Sequence, residues 1–114
     1  MNCIFCQIIK CQKPARVYFE DDEIIVLADI FPKAAIHLLV CPKEHFADLQ
    51  DIPDELLLKL IIRIRRMAAE LGIEDNYRLL LNNGPMSGQI VPHIHFHFLS
   101  NEARVKVKYI ENRP

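Results

Sequence analysis

Short apolar runs separated by charged or turn-forming residues dominate the first half of the chain, a pattern typical of β-strands. Asp21 and Asp22 separate two such runs and predict the turn of a hairpin, and Pro42 closes a third run. Strands are therefore predicted over 16–20, 23–30 and 36–41.

The middle of the chain carries apolar residues at the three- and four-residue spacing of a helix. Asp51 is predicted to cap this helix, with Pro53 in its first turn, and Gly72 to end it. The apolar positions are Leu56, Leu57, Leu60, Ile61, Ile64, Met67, Ala68 and Leu71. The basic residues off this stripe are predicted to form a solvated face: Lys59, Arg63, Arg65 and Arg66. Leu58 and Ile62 widen the stripe, which a dimer contact or a broad core face would explain equally well.

The second half of the chain returns to strand patterns. Strands are predicted over 77–82 and 93–99, and an edge strand over 104–110, where lysines alternate with apolar residues. The order of elements predicts an α+β fold, a mainly antiparallel sheet with a helix packed on one face. No repeat or linker divides residues 1–114, so a single domain is predicted.

Charge and apolar content argue against two classes of protein, those that bind nucleic acid and those that span membranes. Lys and Arg together number 14 against 15 Asp and Glu among 114 residues, with no basic run, which argues against binding of nucleic acid through phosphates. No apolar run approaches the ~20 residues of a membrane span, and no secretory signal is evident. We therefore expect a cytoplasmic protein with neither nucleic-acid nor membrane partners.

Two of the four cysteines are spaced for joint binding of a metal ion. Cys3 and Cys6 are separated by two residues, which lets both thiolates reach one ion, although they supply only half of a tetrahedral site. A redox dithiol is the alternative. Cys11 and Cys41 have no patterned partner and are predicted to pack in the core.

Three histidines alternate with apolar residues near the end of the chain. In a strand, His93, His95 and His97 would share one face and the intervening residues the other. Such a row could bind a divalent metal, or one imidazole could attack phosphorus or an acyl carbon. The polar loop 82–89 directly before it contains two glycines, whose N–H groups can approach phosphate oxygens closely, and this favours phosphorus.

The run His93-Ile94-His95-Phe96-His97-Phe98 resembles the His-φ-His-φ-His-φ-φ signature of the histidine triad (HIT) family, where φ is apolar. Further family-like pieces are Cys3-Ile4-Phe5-Cys6, Phe19-Glu20-Asp21-Asp22, Ala28-Asp29-Ile30, Ile36-His37-Leu38-Leu39-Val40, Pro42-Lys43-Glu44-His45 and Gly88-Gln89-Ile90-Val91-Pro92-His93. The resemblance covers the chain to about Asn101 and is closest to the small bacterial Hint-like branch.

The resemblance implies a five- to six-stranded, mainly antiparallel sheet with one long helix and a short N-terminal or linking helix. It also implies a homodimeric nucleotide-binding hydrolase or transferase acting on the α-phosphate of an AMP- or GMP-type conjugate. Such a purine conjugate could be a phosphoramidate, a nucleotidyl ester or a dinucleoside polyphosphate. The reaction would pass through a nucleotidyl-histidine intermediate and require no cofactor for its chemistry.

The resemblance also assigns roles to residues. The catalytic residues would be His93, His95, His97 and His37. His95 would be the nucleophile, His97 would hold a phosphate oxygen, and His37 would orient the triad. The residues expected to bind the nucleotide are Asn82, Gly88 and Gln89 at the phosphate, Asp29 at the ribose, and Phe5, Ile8, Leu27 and Ile30 around the base. Structural zinc is implied at Cys3, Cys6, His45 and His93, which would fix His93 and thereby the register of His95.

The residue after Gln89 departs from the family pattern. Ser or Thr is usual there and contacts the phosphate, whereas Ile90 has no side-chain donor. This favours slow turnover or a preference for good leaving groups, and makes a nucleotide-binding regulatory module with vestigial catalysis the alternative function. A metal carrier using the three histidines is a third hypothesis.

The loop and triad contain no Lys or Arg. The phosphate charge is therefore expected to be stabilised by dipoles and a protonated imidazole.

Overall fold

The computed structural model describes residues 3–102 and 104–114. Its helices are α1 (Ile4–Ile9) and α2 (Asp54–Glu70), and a 3-10 turn spans Pro85–Ser87. Its strands are β1 (Ala15–Glu20), β2 (Ile24–Ala28), β3 (Ile36–Pro42), β4 (Arg78–Leu80), β5 (Phe96–Ser100) and β6 (Glu111–Arg113). They form one antiparallel sheet in the order β4-β5-β3-β2-β1-β6. The predicted α+β class is confirmed.

The sheet is covered on both faces, which explains why every residue of β2 and β3 is buried. On one face, residues such as Leu38 and Val40 pack with α2 in the larger core. On the other, Leu39 and Cys41 pack with α1 in a smaller core. Cys41 is thus a core residue as predicted, whereas Cys11 is exposed.

The helix α2 begins at Asp54, three residues after the predicted cap. Pro53 occupies the N-cap position in an extended conformation, and a proline disfavours helical geometry in the residue before it. Asp51 instead accepts a hydrogen bond from the Ala47 amide at 3.3 Å. The predicted end is confirmed, because Gly72 follows with a positive φ of 72°.

One predicted member of the solvated basic face is buried. The Arg63 guanidinium lies 4.2 Å above the ring of Phe19 and 2.6 Å from a carboxylate oxygen of Glu70. Leu58, by contrast, is 60% exposed, so the core does not account for the full width of the apolar stripe.

The tail differs from the predicted edge strand over 104–110. That segment is irregular and forms no strand, but Val105, Val107 and Tyr109 are half-buried against the larger core and alternate with exposed residues. The edge beside β1 is taken by β6, where Arg113 pairs with Ala15. Within the described residues, neither helix has the length and apolarity needed to cross a membrane.

Candidate active site and metal cluster

The three histidines lie on the sheet face that α1 covers. Ile94, Phe96 and Phe98 pack into the opposite core, so the predicted alternation is confirmed. The ring centroids of His95 and His97 are 5.0 Å apart, and the ring centroid of Phe5 is also 5.0 Å from that of His95. The strand β5 begins only at Phe96, so His93 and His95 precede it. The neighbouring strand β3 ends at Pro42, which has no N–H to continue the ladder.

The orientation of His95 determines which nitrogen is free to react. Its Nδ1 lies 2.8 Å from the carbonyl oxygen of His93, and a carbonyl can only accept a hydrogen bond. The proton is therefore on Nδ1, and Nε2 carries the lone pair. Burial lowers the pKa of His95, against the opposing effect of this hydrogen bond. At pH 7 the imidazole is neutral and nucleophilic at Nε2.

A chain of hydrogen bonds orients His97. The Lys33 amide donates to His37 Nδ1 at 3.2 Å, which leaves the proton of neutral His37 on Nε2. That nitrogen lies 2.9 Å from His97 Nδ1 and donates to it. His97 therefore carries its own proton on Nε2. Burial, and then the neighbouring imidazoles, lower the pKa of His97 to about 4. The neighbour of His95 that was expected to be protonated is thus a neutral hydrogen-bond donor.

Asp29, His37 and His97 bring three metal-ligating atoms within 4.8 Å of one another. A metal ion on His37 Nε2 would require the ring proton on Nδ1. Nδ1 already accepts the Lys33 N–H, so that proton would face another donor. This group is therefore suited to relaying hydrogen bonds rather than to binding a metal.

The loop before the triad is held by its own hydrogen bonds. Gly84 and Gly88 have φ values of 92° and 93°, which side chains with a Cβ rarely adopt. The Gln89 amide accepts from Gly84 N at 2.7 Å and donates to the carbonyls of Ala47 and Val91. Because both N–H groups of the Gln89 amide bond to backbone carbonyls, the side chain supports the expected phosphate cradle and does not offer a free donor.

Asn82 and Ile90 lie at the two ends of this loop. A Cβ at Gly88 would lie 3.5 Å from Asn82 Nδ2, so the Asn82 amide is directly beside the backbone expected to contact phosphate. Ile90 is 91% exposed, so its side chain is not needed to fill the core.

The residues expected around the base are only partly assembled. Phe5, Ile8 and Leu27 pack together in the smaller core, whereas Ile30 is 77% exposed. Leu39 belongs to the same cluster and was missed by the sequence reasoning, although strand alternation from His37 places it on the site face. Asp29 accepts a hydrogen bond from Phe31 N at 2.8 Å and lies 3.4 Å from His37 Nε2.

The four residues expected to bind zinc form one cluster. His93 Nδ1 lies 3.4 Å from Cys3 Sγ, 3.7 Å from Cys6 Sγ and 3.1 Å from His45 Nδ1. Tetrahedral zinc with ordinary bond lengths has S–N edges of about 3.6 Å and N–N edges of about 3.3 Å. The donor set therefore fits a zinc ion.

The protonation of His93 also suits metal binding. His93 Nε2 donates to the Pro42 carbonyl at 2.8 Å, so the lone pair of the neutral ring is on Nδ1, towards the cysteines. Burial lowers the pKa of His93 to about 4. Burial, followed by the neighbouring Cys3, raises the pKa of Cys6, an effect that a bound cation would oppose.

The sheet, the same-face histidines and the glycine loop define a protein of the histidine triad class. Residues 10–104 match the HIT domain. A HIT family hydrolase from Legionella pneumophila Philadelphia 1 has a TM-score of 0.83 and 42% identity, over 89% of this chain and 94% of that one. A histidine triad nucleotide-binding protein from Candida albicans has a TM-score of 0.80 and 35% identity, over 90% and 78% of the two chains. A zinc-bound histidine triad family protein from Mycobacterium smegmatis has a TM-score of 0.79 and 34% identity, over 100% and 84%. The chain belongs to the HIT family.

Proposed function

We propose that this protein is a HIT hydrolase or transferase acting on the α-phosphate of a purine nucleoside monophosphate conjugate, with His95 as its nucleophile. The observation that carries the proposal is the hydrogen bond from His95 Nδ1 to the His93 carbonyl, which leaves Nε2 unprotonated. The names of the Legionella hydrolase and the Candida nucleotide-binding protein support the same class of reaction and ligand.

The proposed reaction has two displacements at phosphorus. His95 Nε2 attacks in line, forming an N–P bond while the bond to the leaving oxygen or nitrogen breaks and the leaving group takes up a proton from solvent. Water then forms a P–O bond and gives up a proton to solvent, the N–P bond breaks, and the nucleoside monophosphate leaves. His97 Nε2–H would donate to a phosphate oxygen in both steps, and the Asn82 amide and loop backbone would hold the others. Asp29 would bind the ribose hydroxyls.

A structural zinc ion at Cys3, Cys6, His45 and His93 forms part of the proposal. Two sulfur and two nitrogen ligands complete a tetrahedral shell, so the ion would hold the fold locally and leave no position for substrate. Its effect on the reaction would be to fix His93, whose carbonyl oxygen orients His95.

A homodimer is also proposed. Leu58 on α2 and Leu79 and Leu80 on the edge strand β4 are exposed large apolar residues. An edge strand and an apolar helix face are surfaces that a second copy can cover. Sedimentation equilibrium is expected to give twice the chain mass, and a monomer at micromolar concentration would contradict this assignment.

Trapping the intermediate tests the proposed function. Rapid mixing with a panel of AMP and GMP phosphoramidates and aryl esters, followed by acid-free intact-protein mass spectrometry, should show one added nucleotidyl group on the wild-type chain. The His97→Gln variant should accumulate the same adduct more slowly, and His95→Ala should show none. Nucleotide binding without any adduct across the panel would favour the regulatory module.

The Ile90→Ser variant tests how the departure from the family pattern affects catalysis. A hydroxyl at the loop can donate to the phosphate or to the leaving group, so hydrolysis of an AMP-alkylamine conjugate is expected to rise about 10²-fold, the low end of general-acid effects. Ile90→Ala is the matched control, because it shortens the side chain without adding a donor. An aryl ester with a good leaving group should respond little. Equal rates for Ile90→Ser and Ile90→Ala would refute the assigned role.

A further inference from the structure

Arg113 is a buried cation beyond the matched HIT domain. It lies in β6, and only 6% of its surface is exposed. Its guanidinium donates to the carbonyl oxygen of Ile8 at 3.0 Å and to carboxylate oxygens of Glu20 and Glu111 at 2.7 and 2.8 Å. These contacts join the last strand of the sheet to the C-terminal end of α1.

The helix α1 depends on such contacts because it is short. It contains six residues, has no side-chain cap at its N-terminus and has no basic residue in its last turn. A helix of this length is unstable on its own in water. Arg113 lies 105 residues away from Ile8 in the sequence and supplies a cationic donor at the end of this helix.

The guanidinium is fixed in position by paired charges. Glu20 accepts from Arg113 through one oxygen and from Lys43, at 2.8 Å, through the other. Glu111 accepts two bonds, from Nε and from one terminal nitrogen of the same guanidinium. Hydrogen bonds of this type, between charged groups and with two parallel contacts, restrict geometry more than single neutral bonds do.

The residues that Arg113 holds border the nucleotide site. The helix α1 supplies Phe5 and Ile8 to the cluster expected around the base. On its other side, Arg113 lines a cavity of about 260 Å³ together with Asp29, the expected ribose ligand, and Ile30.

We infer that Arg113 is a positioning residue for the nucleotide: it fixes α1 against the sheet and thereby sets where Phe5 and Ile8 lie relative to Asp29. The inference rests on the proposed function. It gives the C-terminal strand a role in ground-state binding of the nucleotide and none in the displacement at phosphorus.

Nucleotide affinity and turnover separate this role from a merely stabilising one. In Arg113→Met, the Kd for AMP, measured by calorimetry, and KM for an AMP aryl ester should rise about tenfold, the scale of one charge-assisted hydrogen bond. The kcat value should stay within about twofold of wild type, because His95 and His97 are unchanged. Arg113→Lys keeps the charge and should give an intermediate Kd.

Arg104→Met is the matched control, because Arg104 is a tail arginine whose ion pair with Glu102 is solvent-exposed. It should leave Kd and KM unchanged. Equal AMP affinity in wild type and Arg113→Lys or Arg113→Met, with only the melting temperature lowered, would overturn the inference while leaving the proposed function intact. Failure of the wild-type protein to bind AMP would refute both. If Arg113→Met does not fold, the Arg113→Lys measurement decides.

Discussion

Replacing His95 with alanine is expected to lower kcat for an AMP conjugate by about 10⁴-fold or more, the scale reported when a covalent nucleophile is removed. The reason is geometric. The Nε2 lone pair of His95 results from the hydrogen bond between its Nδ1 and the His93 carbonyl. Steady-state kinetics measures the loss. The substrate is an AMP aryl ester, because an aryl oxide leaves readily without protonation.

The control for this prediction is binding. His95→Ala removes a partly buried ring but none of the residues assigned to the ribose or the base, so its Kd for AMP should change by less than about fivefold. His97→Ala should reduce kcat less, by about 10²- to 10³-fold, because it removes one hydrogen-bond donor to the phosphate and leaves the nucleophile. A His95→Ala protein that still forms the nucleotidyl adduct would refute His95 as the nucleophile.

Removing zinc is expected to lower the free energy of unfolding by about 4 kcal/mol, the value for a ligand present at 1,000 times its Kd. Cys3→Ala or Cys6→Ala should have a similar effect, because either variant leaves three ligands and an incomplete tetrahedral shell. Metal analysis of the purified protein should give one zinc ion per wild-type chain and none in these variants. Chemical denaturation with and without a chelator measures the stability.

Cys11→Ser is the matched control for the metal site, because Cys11 is exposed and lies outside the cluster. It should retain zinc and its resistance to denaturant. His95→Ala should also retain zinc. If zinc were lost from His95→Ala and kept in Cys3→Ala, the histidine row would be the metal site and the protein would be a metal carrier.

The sequence predicted those features that are set by residues close together along the chain. The alternation over 93–98 follows from the two-residue period of extended chain, and it held although only the second half of the segment pairs in the sheet. The apolar period of α2 likewise predicted which residues reach the core. The predicted start of α2 was wrong because Pro53 is extended. The predicted strand over 104–110 was wrong because β6 occupies the edge beside β1.

The resemblance predicted that residues far apart in the sequence share one site, and the fold determined the hydrogen bonds between them. His37 and His97 are neighbours because β3 pairs with β5, and the direction of their hydrogen bond depends on the Lys33 amide in the preceding loop. The Gln89 amide was expected at the phosphate, yet its hydrogen bonds go to Gly84 in the loop and to the carbonyls of Ala47 and Val91.

The sequence by itself determined the same-face histidines and the Cys-x-x-Cys pair, because local backbone geometry sets these spacings. Only the tertiary structure decided the tautomers of His37, His95 and His97, the closure of the four-residue metal cluster and the burial of Arg113 against Ile8. These features depend on which carbonyl, amide or carboxylate lies opposite each side chain. That partner is supplied by residues far away in the sequence, and no local period encodes it.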